Sequence, residues 1–305
     1  MPYVPLSTPR LTPAEVLNRL VRLTSKSSGL SAVFMLTQYS SPLVINFLLF
    51  LARLRAKHQP GGGKSLSRAA QGWGNVATSM AETRLVMRLA GLLPIIQWLA
   101  ALHPKPLATI NQAIKQRSLA PLSLGPKAIP IIQAWSLAVY YPSEHIWWFN
   151  AKGLLGLSPA GATRAGEWLM RSWGLYVVVE VYKIAVQYAA LRQRSAKLRQ
   201  TRRAVKLSEA EGYELQPAEN STAATSSSDV EKQSDSQVAD VEADKLKEDW
   251  ENWALNAAQY VGYAPLTAHW CTPGGLGPMK NQYVYAILGT ITGAAAVLGQ
   301  WKAAA

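Results

Sequence analysis

The sequence predicts an all-α fold: a membrane-associated helical bundle with amphipathic helices, one or two transmembrane helices and a disordered acidic insert. Three observations predict it. Apolar residues recur at helical spacing along most of the chain rather than in alternation. Of the 305 residues, 49% are hydrophobic and only 16% are charged, against about 25% in soluble domains. The net charge of +13 is unevenly laid: residues 206–251 hold 13 of the 18 acids and 4 of the 31 bases, leaving 27 bases against 5 acids elsewhere. A basic, apolar body with an acidic insert suits a body on anionic lipid and an insert kept in water. A nucleic-acid binder of this basicity would carry far more charge, and a large polytopic transporter would be more apolar.

The first helix is signalled by Thr12 as a cap, Pro13 at the first helical position and Glu15 three residues after the cap. Val16, Leu17, Leu20 and Leu23 then share one face and Arg19, Arg22 and Lys26 the other, with Gly29 expected to end the run. Pro2, Pro5 and Pro9 precede it, which is unlike a secretory signal or the helix of a mitochondrial presequence. Residues 27–52 carry no charge; Pro42 is expected to split or kink them, and the cluster from Val44 to Leu51 reads as a buried or interfacial helix. Gly61-Gly62-Gly63-Lys64-Ser65 lacks the earlier glycine of a phosphate loop, since His58 stands there, and reads as a joint.

From Lys64 onward Leu66, Ala69, Trp73, Val76 and Met80 form one stripe, while Lys64, Arg68, Gln71, Asn75, Thr78 and Glu82 lie opposite. Gly72 and Gly74 each weaken such a helix by roughly 1 kcal/mol relative to Ala, so it suits folding upon a membrane surface. Arg84 and Arg88 follow one turn apart, then Leu85, Leu89, Leu92, Ile96 and Leu99. Pro94 should kink this stretch, and the 14 residues between Arg88 and His103 are short for a span. Residues 104–130 read as a proline-punctuated connector. Tyr140, Tyr141, Trp147 and Trp148 fit an interfacial belt.

Trp168 to Leu191 is long enough to cross, but Arg171, Glu180 and Lys183 inside it would have to pair or snorkel. A basic block, Arg192 to Lys206, comes next and belongs on the cytosolic side by the positive-inside rule. Residues 207–249 are rich in Ser, Ala and acids and should be a disordered, cytosolic linker, its Asn220-Ser221-Thr222 sequon unused. Tyr283 to Trp301 is the best transmembrane candidate, with aromatics at both ends and Gly289 and Gly293 in GxxxG spacing that suits helix–helix oligomerisation. The organisation expected is thus residues 1–103, an amphipathic membrane-remodelling region; 104–206, an aromatic helical region ending in the basic block; 207–249, the linker; and 250–305, a C-terminal region with its span.

Chemistry is sparse. Cys271 is the lone cysteine, excluding an intramolecular disulfide or thiolate zinc cluster, and four histidines lack ligand spacing. Glu144 and His145 are helix neighbours and do not face each other. With no nucleophile–base pair and no complete phosphate loop, neither an enzyme, a cofactor, a metal nor a nucleic-acid partner is expected.

The order of four stretches resembles the peroxin-eleven family of peroxisomal membrane-elongation and division proteins. They are LTQYSSPLV with Gln38 and Tyr39; SMAETRLVMRLAGLL with Ser79, Arg84, Arg88, Leu89 and Gly91; YYPSEHIWWFNAKGLL with Glu144, Trp147 and Trp148; and ATRAGEWLMRSWGLYVVVEVYK with Arg164 and Trp168. A glycine-rich final helix completes the series, and the acidic insert resembles the long-insert fungal branch. The resemblance implies a peroxisomal membrane protein with both termini cytosolic. Such proteins insert amphipathic helices into the cytosolic leaflet, elongate the organelle, homo-oligomerise and recruit dynamin-related fission machinery and its membrane adaptor. Carried onto this chain, Lys64, Arg68, Arg84 and Arg88 would meet anionic phospholipid while Leu66, Trp73, Val76, Met80 and Leu85 insert, and Gly289 and Gly293 would join copies. The alternative function is a peroxisomal channel or metabolite pore, which needs several spans lined by polar groups.

Overall fold

The computed structural model describes residues 11–59, 61–117, 127–214 and 228–305. Among them there is no strand. The helices are α1 (Pro13–Ser25), α2 (Ser27–His58), α3 (Lys64–Leu102), α4 (Pro106–Gln116), α5 (Ala128–Ala151), α6 (Pro159–Glu214), α7 (Ser228–Cys271) and α8 (Gln282–Lys302), with a short 3-10 turn at Gly277–Lys280 before the last. The chain forms two compact units: residues up to Val181 together with Ala258–Ala305, and Tyr182–Ala257. These units cut across the four regions read from sequence, because the N-terminal and C-terminal parts pack into one.

In the first unit α2, α3, α5, the start of α6, the end of α7 and α8 follow one another as antiparallel neighbours and close back on α2. Ascending α3, Glu82, Arg88 and Gly91 meet Lys152, Glu144 and Tyr141 in descending order on α5. Tyr140 then packs at a tilt on Trp173 of α6, and Trp147 lies beside Gly166. Met170 and Trp173 bond Cys271 and Thr267 of α7. Gln259 and Trp270 reach Thr292 and Tyr285 of α8. The ring closes where α8 lies along α2, from Gln300 on Ser28 to Gln282 on Asn46.

Small residues make that closure possible. A Cβ on Gly289 would stand 2.6 Å from the Tyr39 ring, and one on Gly293 would stand 2.6 Å from Leu36 Cα. The GxxxG spacing expected to face a second copy thus seats α2 of the same chain, a close approach of backbones that only glycine permits. Gly29 acts likewise. It does not end α1; the break falls at Lys26, and Gly29 sits inside α2 beneath the Leu23 carbonyl, where a Cβ could not fit. The Thr12 cap holds as read: Glu15 N–H donates to Thr12 Oγ1 at 3.3 Å and Thr12 N–H to Glu15 at 2.7 Å.

Four helices among the described residues are long and apolar enough to cross a membrane: α2, α3, residues Pro159–Ala204 of α6, and α8. The sequence reading expected one or two. Prolines are part of the difference. Pro42 and Pro94 lie inside unbroken helices, and near Pro42 side chains take up backbone acceptors: Ser41 donates to Thr37 and Asn46 to Pro42. The other part is where charges point. Arg84, Glu144 and Glu180 are buried, whereas Phe47, Phe50, Val86, Leu93, Ile96, Val178 and Ile287 are exposed. A water-soluble bundle distributes these groups the other way round.

The second unit is a helical hairpin, residues 182–214 of α6 against residues 228–257 of α7. Trp250 and Trp253 of α7 gather around Tyr188, Trp253 Nε1 donates to the Ile184 carbonyl, and Leu191 and Leu246 are buried. Within the stretch expected to be disordered, residues 207–214 and 228–249 are helical; residues 215–227, with the sequon, lie outside the described residues. Toward the end of that stretch three acids are paired: Arg194 bonds Glu242 at 2.8 Å and Asp249 at 2.7 Å, and Arg202 bonds Asp240 at 2.6 Å, so these three face the basic block.

Candidate functional site

The ring of helices borders a half-open cavity of about 1050 Å³. Each of the six helices contributes to its wall: Tyr39 from α2, Arg84 from α3, Tyr140 from α5, Trp173 from α6, Tyr263 from α7 and Tyr285 from α8. Its polar groups descend from the two arginines one turn apart on α3. Arg88 uses Nε and Nη2 to hold both oxygens of Glu144, at 2.7 and 2.6 Å, and Tyr140 O–H donates to the same carboxylate at 2.8 Å. A two-point guanidinium–carboxylate pair of this kind is among the stronger hydrogen-bonded arrangements available to a protein. Arg84 is 9% exposed and donates from Nη1 to Gln38 Oε1 at 2.8 Å. Its Nε is buried with no acceptor. Between the neighbouring helices α5 and α6, buried Gln133 donates to buried Glu180.

The site residues read from sequence therefore separate. Lys64 and Arg68 are exposed, as is Val76, while Leu66, Trp73, Met80 and Leu85 are half-buried. Arg84 and Arg88 turn into the bundle and do not share the exposed face of Lys64 and Arg68. Helical spacing allows both outcomes for a pair one turn apart; Gln38 and Glu144, which decide it, stand 46 and 56 residues away in the chain. Glu144, noted in the sequence for its place before an aromatic pair and beside His145, is the counter-charge of Arg88.

A second surface feature is α1. Leu17, Leu20 and Val21 are exposed on one face, with only Leu23 buried. On its other side Arg22 Nη1 donates to the Ala305 carbonyl at 3.0 Å and Arg19 lies over the Trp301 ring. Those contacts hold α1 at the end of the bundle where α8 finishes. Lys64 and Arg68 open α3 at the opposite end, where Gly63 closes on Ala52 of α2. The Thr12 N–H bond holds the Glu15 carboxyl of α1 below the usual carboxylate range. Among the described residues no group of His, Cys, Asp and Glu is placed to hold a metal ion.

Compared with known proteins, the chain matches the model of one family, described as peroxisomal biogenesis factor 11 (PEX11), over residues 17–301. No curated protein matches it. No solved structure matches it either.

Proposed function

The chain belongs to the PEX11 family, a peroxisomal membrane protein family of organelle proliferation and division, and we propose that it shapes that membrane by pressing α1 into the cytosolic leaflet beside a six-helix membrane bundle. The carrying observation is α1 itself: Leu17, Leu20 and Val21 are exposed together while Arg19 and Arg22 are held at the bundle's end. A helix with such a split lies in the headgroup plane, buries its apolar face in one leaflet and expands that leaflet relative to the other. This moves the wedge from α3, where sequence spacing put it, to α1. Lys64 and Arg68 then meet phosphates of the opposite leaflet, with Trp73 and Val76 at the acyl boundary.

The direction of the chain supports the sidedness. With α5 and the end of α7 carried through the bilayer beside the four helices that are apolar enough to cross alone, four passes precede residue 182 and two follow residue 257, so both termini and the start of the basic block reach the same side. That satisfies the positive-inside rule with all three on the cytosolic side. Assembly with further copies uses faces other than Gly289 and Gly293, which are taken by α2, and concentrates the wedges where dynamin-related fission machinery and its adaptor are recruited.

The test is reconstitution of the full chain into anionic vesicles, imaged by electron microscopy. Wild type is expected to draw tubules, and Leu17→Glu/Leu20→Glu to insert yet leave vesicles round; equal tubulation by both would remove α1 from the mechanism. The half-open cavity within the ring is the one observation favouring the second reading, a metabolite pore. Release of a trapped small solute from the same vesicles would establish it, and retention of the solute excludes it.

A further inference from the structure

Two arginines one turn apart on α3 line the cavity and carry the same chemical edge, the parallel N–H donors of Nε and Nη2. In Arg88 that edge is filled by the Glu144 carboxylate. In Arg84 it is not: Nη1 is engaged by Gln38, and Nε is buried without an acceptor. A buried guanidinium lacking a counter-charge is costly, and such groups are retained in membrane segments where they bind something. The volume, about 1050 Å³, lies just above the roughly 300–1,000 Å³ usual for ligand sites. The residues lining the cavity include apolar and aromatic side chains, Tyr39, Leu85, Leu137, Tyr285 and Met170 among them, beside the charged Glu144, Glu167 and Arg171.

From this geometry we propose that the cavity binds a long-chain carboxylate, its head paired with the Nε–Nη2 edge of Arg84 and its tail lying among the aromatic side chains of the ring. The head is chosen by the neighbouring arginine: the same edge at Arg88 takes a planar, two-oxygen anion. The tail is chosen by the aliphatic and aromatic part of the wall, which gives a small hydrophilic anion nothing to pair with. A phosphate head on a membrane lipid shares the anionic chemistry and is separated from the carboxylate by experiment.

The full chain in phosphatidylcholine nanodiscs is titrated with palmitate labelled with carbon-13 at the carboxyl, followed by NMR. A saturable, protein-bound carboxyl resonance is expected, one per chain, that remains ionised to lower pH than palmitate in empty discs. Arg84→Met should weaken this binding at least ~10-fold. It should also raise the thermal midpoint of the ligand-free protein, because it removes a buried unpaired charge. Arg84→Lys keeps the charge without the two-donor edge and should weaken binding by a similar factor. Arg53→Gln, an exposed change on α2, should leave it intact. Palmitate bound equally by wild type and both Arg84 variants would overturn the proposal, and so would phosphatidate occupying the site while palmitate does not.

Discussion

The two units use arginine in opposite ways. In the ring, Arg88 and Arg84 are withdrawn from solvent and meet one carboxylate between them. In the hairpin, Arg194 and Arg202 are exposed and meet three. The first arrangement is few contacts of high consequence, since a buried charge that loses its partner keeps its desolvation penalty. The second is many contacts of low consequence, since water and salt screen each one. The lesson is that the +13 net charge of the chain says little about what any one base does; surroundings decide it.

The largest effect separating the two units should come from Glu144→Ala. It strands Arg88 inside the ring and is expected to cost about 3–5 kcal/mol, read as a lower thermal midpoint of the detergent-solubilised protein. Glu144→Ala with Arg88→Met should recover most of that loss. If the single variant melts like wild type, the ring is not organised around this pair.

Next in size is Gly293→Ala. Its Cβ would press on the Leu36 backbone, which cannot swing aside as a side chain can, and overpacking of this kind costs typically about 1–3 kcal/mol. The expected result is destabilisation with the same oligomeric state. A variant of unchanged stability that fails to self-associate would return Gly293 to an interface between copies.

Arg194→Ala should cost the hairpin about 1 kcal/mol or less. Raising salt from about 0.1 to 1 M shortens the screening length from about 10 to 3 Å, so hydrogen exchange of 182–257 should quicken while that of the ring stays unchanged. Equal salt response in both units would erase the contrast. The smallest effect is at Glu15. Its folded carboxyl is held below the ordinary value, so its contribution to the α1 cap is present above that range and lost as pH falls through the lowered value. A carbon-13 titration of the Glu15 carboxyl with an ordinary midpoint would show the cap open in solution.

Local features of the fold were legible in sequence where the determinants are neighbours in the chain. Thr12, Pro13 and Glu15 announced the start of α1, and its split faces were visible in Leu17, Leu20, Arg19 and Arg22. The GxxxG pair announced a close approach but not whose helix approached, because a second copy and α2 satisfy the same spacing. Arg84 and Arg88 were legible as a pair and misplaced as a surface, because Glu144 lies on another helix. Composition marked 207–249 as unable to fold alone, and it was read without its partner: the acids of α7 become helical opposite Arg194 and Arg202, anchored by Trp250 and Trp253 beyond the acidic run. Charges counted along one segment concealed that two segments cancel.

The most direct test of the central claim is peroxisome shape in cells that lack their own copy of this chain. Tagged wild type is expected to ring the peroxisomal membrane and produce elongated, then more numerous, organelles. Leu17→Glu/Leu20→Glu should reach the same membrane and leave it spherical. Elongation by that variant equal to wild type, or wild type residing on another membrane with peroxisomes unchanged, would contradict the account.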